Sequence, residues 1–110
     1  MNILSTSQIT SALCLVSALS FQATASTGDP IAGKMKSPSC VFCHSVSGPE
    51  SNPAYPNLKS QNELYLFNSM KDYQNGLRGG AMADMMKAQL QHLNDQDLRD
   101  VAAYYSGLND

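Results

Sequence analysis

The stretch Ser39-Cys40-Val41-Phe42-Cys43-His44-Ser45 sets two thiols three positions apart and puts an imidazole directly after the second. Cysteines at that spacing face one object from a single turn of chain, and the adjoining histidine reaches the same space. Everything around the stretch bears on what is held there.

The chain has 110 residues, a single-domain length that buries only a modest core unless something is added to it. Hydrophobic residues make up 43% and charged residues 15%, with no Trp, repeat or low-complexity tract, which implies a compact domain rather than disorder. A formal net charge of -2 and seven scattered Lys and Arg argue against a nucleic-acid binder, which needs clustered cations.

Every Asp, Glu, Lys and Arg lies at or after Asp29. The uncharged start contains the apolar run Ile9 to Leu19 and then Ala23-Thr24-Ala25, which has the small-x-small form of a secretory cleavage site. The expectation is a signal peptide over residues 1–25, cleaved before Ser26, with residues 26–110 as the exported domain. The segment Met1-Asn2 departs from the usual pattern in carrying no Lys or Arg. The alternative, a retained membrane anchor, is disfavoured because the apolar run is shorter than the ~20 residues needed to span a bilayer, and no other segment could span, so no membrane span is expected in the mature chain.

Cleavage removes Cys14 and leaves Cys40 and Cys43 as the only thiols. A disulfide between them would close so short a loop that it would constrain the unfolded chain little. A structural zinc site needs four ligands, and the only other histidine, His92, stands alone between Gln91 and Leu93. A thioredoxin-like pair belongs in a βαβ setting, and the chain has almost no alternating strand pattern. Covalent haem attachment remains: both thiols add to vinyl groups, and the next residue presents its imidazole to the iron.

The rest of the chain reads as helices and one loop. Asp29 is placed to cap a helix with Pro30 at its first position, running through Met35 and stopping before Pro38. Gly33 inside it costs about 1 kcal/mol relative to Ala, a cost that a close helix crossing would explain. Gly48-Pro49, Asn52-Pro53 and Tyr55-Pro56-Asn57 make residues 45–60 a loop able to wrap a flat cofactor. Ser60 and Glu63 fit a capping box opening a second helix that ends at Asn75-Gly76. A third helix is predicted over Ala81 to Leu90. Asn94-Asp95-Gln96-Asp97 caps a fourth, whose Leu98, Val101, Ala102, Tyr105 and Leu108 form one apolar face. The fold class is all-α, with four or so short helices. Met35 and Met70 read as core, and His92 as an exposed residue at a helix junction.

With these residues in hand the sequence resembles the class I c-type cytochromes, above all the small bacterial periplasmic ones of the c4 and c553 kind. The resemblance rests on Gly28-Asp29, Gly33, Cys40-x-x-Cys43-His44, Tyr55-Pro56-Asn57-Leu58, Gln61, Tyr65-Leu66, Tyr73, Gly76, Arg78, the Met82 to Met86 cluster, and Leu93 to Leu98 with Ala102-Ala103-Tyr104-Tyr105. It implies the class I cytochrome c fold around one haem c and its iron. Cys40 and Cys43 would carry the thioether bonds and His44 would be the proximal iron ligand. Pro56 would lend its carbonyl to the His44 ring, and Gly33 would cross Tyr104 or Tyr105. Arg78 is either a contact for a haem propionate or an ordinary solvated arginine. For the distal ligand, relatives place a methionine about seven residues before the leucine that opens their last helix, which favours Met86. Met82 and Met85 stay as alternatives, since Met82 and Met86 lie on one helix face.

An iron held by His and Met has no open position and passes single electrons. The resemblance therefore implies an electron carrier and not an enzyme: a periplasmic monohaem cytochrome of a respiratory chain, between a membrane or dehydrogenase donor and an oxidase or reductase acceptor. The alternative reading is a haem-bearing electron-transfer subunit of a periplasmic dehydrogenase or oxidase complex.

Overall fold

In the computed structural model, residues 27–50 and 52–109 are described; the expected signal peptide and its cleavage point lie outside them. The elements run α1 (Pro30–Lys36), a 3₁₀ turn (Cys40–Phe42), α2 (Glu63–Gln74), α3 (Ala83–Leu90) and α4 (Asp95–Ser106). Among the described residues there is no strand, as the all-α reading expects.

Helix α1 starts where Asp29 and Pro30 place it. The Asp29 carboxylate accepts from Ile31 N at 2.8 Å and Ala32 N at 3.3 Å, and Pro30 fills a position whose N–H would go unused. The end is set by Ser37, whose buried hydroxyl donates to Gly33 O at 2.7 Å. Helix α4 carries a full capping box: Asn94 Oδ1 accepts from Asp97 N, and Asp97 Oδ2 accepts from Asn94 N, both at 2.9 Å.

These two helices cross at their backbones. A Cβ on Gly33 would fall onto the Asp100 carbonyl and come within 2.8 Å of Tyr104 Cβ, and one on Gly28 would fall onto the Arg99 carbonyl. The crossing partner of Gly33 is thus Tyr104, and Gly28 makes a second close approach that the sequence did not announce. Polar groups lock the crossing. Lys36 Nζ lies 2.7 Å from Asp97 Oδ1 and 2.6 Å from Asp100 Oδ2, while Asp29 N and Gln96 Nε2 both donate to Asp100 Oδ1 at 2.8 Å. Burial pushes the Asp100 carboxyl up, yet the Asp29 N–H and Lys36 outweigh it and hold it below the ordinary value.

The opposite face of α4 packs on α2. Leu66, Val101, Ala102 and Tyr105 form the core, with Leu58, Phe67 and Met70 against them. Gln74 Nε2 donates to Leu90 O at 2.7 Å and Leu93 O at 2.8 Å, tying the end of α2 to the end of α3. Asn75 caps α2 and Gly76 takes a φ of 70°, a left-handed turn that glycine adopts without strain.

Three expectations need correction. The cap of α2 is Asn62, whose Oδ1 accepts from Tyr65 N at 3.0 Å; Ser60 is diverted, its hydroxyl donating to Leu108 O at 2.6 Å and its N–H to Tyr105 O at 3.1 Å. Met35 is not core but 77% exposed, because α1 meets α4 through Gly33 and two residues further on the helix has turned its side chain away. Helix α3 begins at Ala83 rather than Ala81, behind the Gly79-Gly80 turn and without a capping side chain at Met82. Met70 does pack against the core.

Candidate haem-binding site

The 3₁₀ turn explains why the cysteines and the histidine act together. Cys40 O accepts from Cys43 N at 3.1 Å and from His44 N at 2.8 Å, which folds the stretch tightly and turns Cys40, Cys43 and His44 into one cavity. Both thiols are free. Burial pushes the Cys40 thiol above its ordinary value, against hydrogen bonds with Ser39 and Ser37 that pull it down.

His44 is 4% exposed, and its Nδ1 lies 2.8 Å from Pro56 O. A carbonyl only accepts, so Nδ1 carries the proton and the lone pair of Nε2 is left for another partner. Tyr55 sets its ring edge-on to the imidazole, with centroids 6.4 Å apart. The loop that was expected to wrap a cofactor thus fixes the histidine ring from two successive residues.

Met82, Met85 and Met86 at the start of α3 line the same cavity, together with Tyr65, Met70 and Tyr73 of α2 and Val101 and Tyr105 of α4. The space, counted with its open mouth, is about 1060 Å³. All three candidate methionines reach it. His92 is exposed and lies outside its lining.

Arg78 is neither free in solvent nor unpartnered. Its Nη2 donates to the Tyr65 hydroxyl at 3.2 Å, and the guanidinium sits 5.2 Å from the centre of the Tyr73 ring and 5.8 Å from that of Tyr65. The contact holds the Tyr65 phenol below its ordinary value. The result is a cation kept at the cavity wall by two tyrosines, a pairing that the sequence offered only as separate residues.

Two buried features had no sequence signal. Tyr105 keeps its hydroxyl shut from water with no hydrogen-bond partner among the described residues, and burial pushes its phenol far up. Lys59, inside a Pro-rich loop where a lysine reads as solvated, is 4% exposed.

The donor set fits a covalently held haem. Two thiols can each add across a vinyl group, one imidazole nitrogen is unused, soft thioethers line the same space, and the walls are largely apolar. Among the described residues no group of three or more His, Cys, Asp or Glu side chains gathers around another metal position. No described helix is long and apolar enough to cross a membrane.

Comparison with known proteins gives the same direction. The family described as Cytochrome c matches residues 33–109. Cytochrome c-554(548) of Halomonas halodenitrificans is 46% identical over 79 residues, which cover 72% of this chain and 95% of that protein. Cytochrome c4 of Pseudomonas aeruginosa is 39% identical over 79 residues and that of Azotobacter vinelandii 36% over 85, with 38% and 40% of their respective lengths matched. The chain therefore spans nearly the whole of the first relative and about two fifths of the c4 proteins.

Proposed function

This chain belongs to the cytochrome c family, a haem c protein that carries electrons and is not an enzyme, and from that premise we propose that it is a periplasmic monohaem carrier of a respiratory chain. When bound, haem c supplies the one-electron ferric and ferrous couple. The residues do the rest. Cys40 and Cys43 would each add their S–H across a vinyl group, forming the two thioether bonds with no leaving group. His44 would hold the iron through Nε2 while Pro56 accepts from Nδ1, which fixes the ring and raises its basicity. Met86 would complete the coordination as a soft, uncharged ligand, in keeping with the spacing to Leu93. Arg78, held by Tyr65 and Tyr73, would face a propionate as a charge-assisted donor.

The observation that carries this reading is the 2.8 Å contact of His44 Nδ1 with Pro56 O, which leaves one nitrogen lone pair in a cavity shared with both thiols and three thioethers. Periplasmic export draws support from the charge-free segment before Asp29 with its Ala23-Thr24-Ala25 end, and from relatives in bacteria. The carrier would take electrons from a membrane or dehydrogenase donor and pass them to an oxidase or reductase.

The test is direct. Protein recovered from the periplasm should begin at Ser26, carry one haem per chain by mass after denaturation, and fail to bind carbon monoxide in the ferrous state at neutral pH. Uptake of carbon monoxide would refute Met ligation, and a colourless chain would refute the site altogether.

A further inference from the structure

The loop that delivers Pro56 to His44 is itself closed by charges placed where loops do not usually keep them. Glu50 Oε2 accepts from Ser45 N at 2.7 Å, one residue beyond His44. Lys59 Nζ donates to Gly48 O and lies 3.8 Å from Glu50 Oε1, with the two side chains 2% and 10% exposed. Lys59 N in turn donates to Asn57 Oδ1 at 3.0 Å. Glu50 Oε1 is shut away from water with no hydrogen-bond partner among the described residues, so the Lys59 ammonium is its compensating charge. Taking a carboxylate and an ammonium out of water is expensive, and an apolar pair of similar volume often serves stability as well. What the pair achieves that apolar side chains could not is geometric: it joins residue 45 to residue 50, and residue 59 back to residue 48, on either side of Pro56.

We infer that Glu50 and Lys59 are positioning residues for the proximal histidine, setting the reduction potential by holding the Pro56 carbonyl against His44 Nδ1. The inference rests on the reading of His44 as the iron ligand. A loosened loop lengthens the Nδ1–H to carbonyl contact, the imidazole becomes a poorer donor, and the ferric form loses more stabilisation than the ferrous form. Loss of either residue therefore moves the potential the same way, upward. A direct effect of charge would do otherwise: removing a carboxylate raises the potential and removing an ammonium lowers it.

The experiment uses haem-loaded protein. Glu50→Ala and Lys59→Met each shift the ferrous-to-ferric equilibrium toward ferrous by about fivefold, a rise of roughly 40 mV at about 59 mV per tenfold for one electron. In the ferrous proton spectrum the His44 Nδ1–H exchanges faster with solvent in both. Glu50→Gln, which keeps an oxygen for Ser45 N, and Lys59→Gln, which keeps a donor for Gly48 O, stay within about twofold of the parent. Opposite shifts in the two members of either pair of variants, or unchanged potential and exchange in Glu50→Ala and Lys59→Met, overturn the inference. Should those two fail to take up haem while both Gln variants load normally at the parent potential, the loop geometry and not its charge is again what matters. Haem content of the unmodified protein reports separately on the site itself.

Discussion

The crossing of α1 over α4 and the cavity between His44 and α3 face the same shortage of core and meet it by opposite means. At the crossing, polypeptide satisfies polypeptide: Gly28 and Gly33 let backbones touch, and Lys36, Asp97, Asp100 and Gln96 pair with one another. In the cavity the walls are largely apolar, the thiols are free and the histidine has one nitrogen to spare. One region is complete as sequence. The other is built to be completed by a prosthetic group, so stability and function are divided between two halves of one small domain.

Removing what completes the second half should break the contrast most severely. With Cys40 and Cys43 both changed to Ala, the protein is expected to lose covalent haem and most of its helical far-ultraviolet dichroism, because α2 and α3 then border an unfilled apolar space. Met86→Ala, at the proposed distal ligand, is expected to let carbon monoxide bind the ferrous protein and to lower the reduction potential by more than about 59 mV, tenfold in the equilibrium. Met82→Ala and Met85→Ala should leave both properties near those of the parent.

Gly33→Ala tests the first half. The new methyl group meets backbone that has no rotamer to yield, so unfolding by denaturant should show a loss of about 3 kcal/mol, at the upper end of overpacking effects, with the haem spectrum unchanged. Asp100→Asn is milder, about 1–3 kcal/mol, since the amide still accepts from Asp29 N but loses the charge opposite Lys36.

The pH dependence is the smallest effect. Asp97 and Asp100 are held below 3.8, Asp97 chiefly by Lys36, so their contribution is present above that value and is lost as pH falls through the lower folded values. Lys36 is held above 10.5, chiefly by Asp100, so its contribution is present below 10.5 and is lost as pH rises through the raised value. Thermal midpoints should fall at both limits, and Asp100→Asn should flatten the acid limb.

Local chemistry was legible in the sequence because the partners are neighbours in the chain. Asp29 capping α1, Asn94 and Asp97 boxing α4, Gly76 ending α2, and the spacing of Cys40, Cys43 and His44 all act within a few residues. Ser60 misled because Leu108 and Tyr105, far along the chain, claimed its polar groups and left the cap to Asn62. Met35 misled because the buried face of α1 is marked by its smallest residue and not by its largest. Lys59 gave no sign, since nothing local tells a buried lysine from a solvated one. The methionine choice stayed open for a geometric reason: Met82, Met85 and Met86 all reach the cavity.

The hydrogen bond from Asp29 N to Asp100 Oδ1 joins residues 71 positions apart. A chain truncated before α4 cannot close this ring. Closing so long a loop costs conformational entropy, so the start of α1 gains its buried carboxylate partner only when α4 is in place.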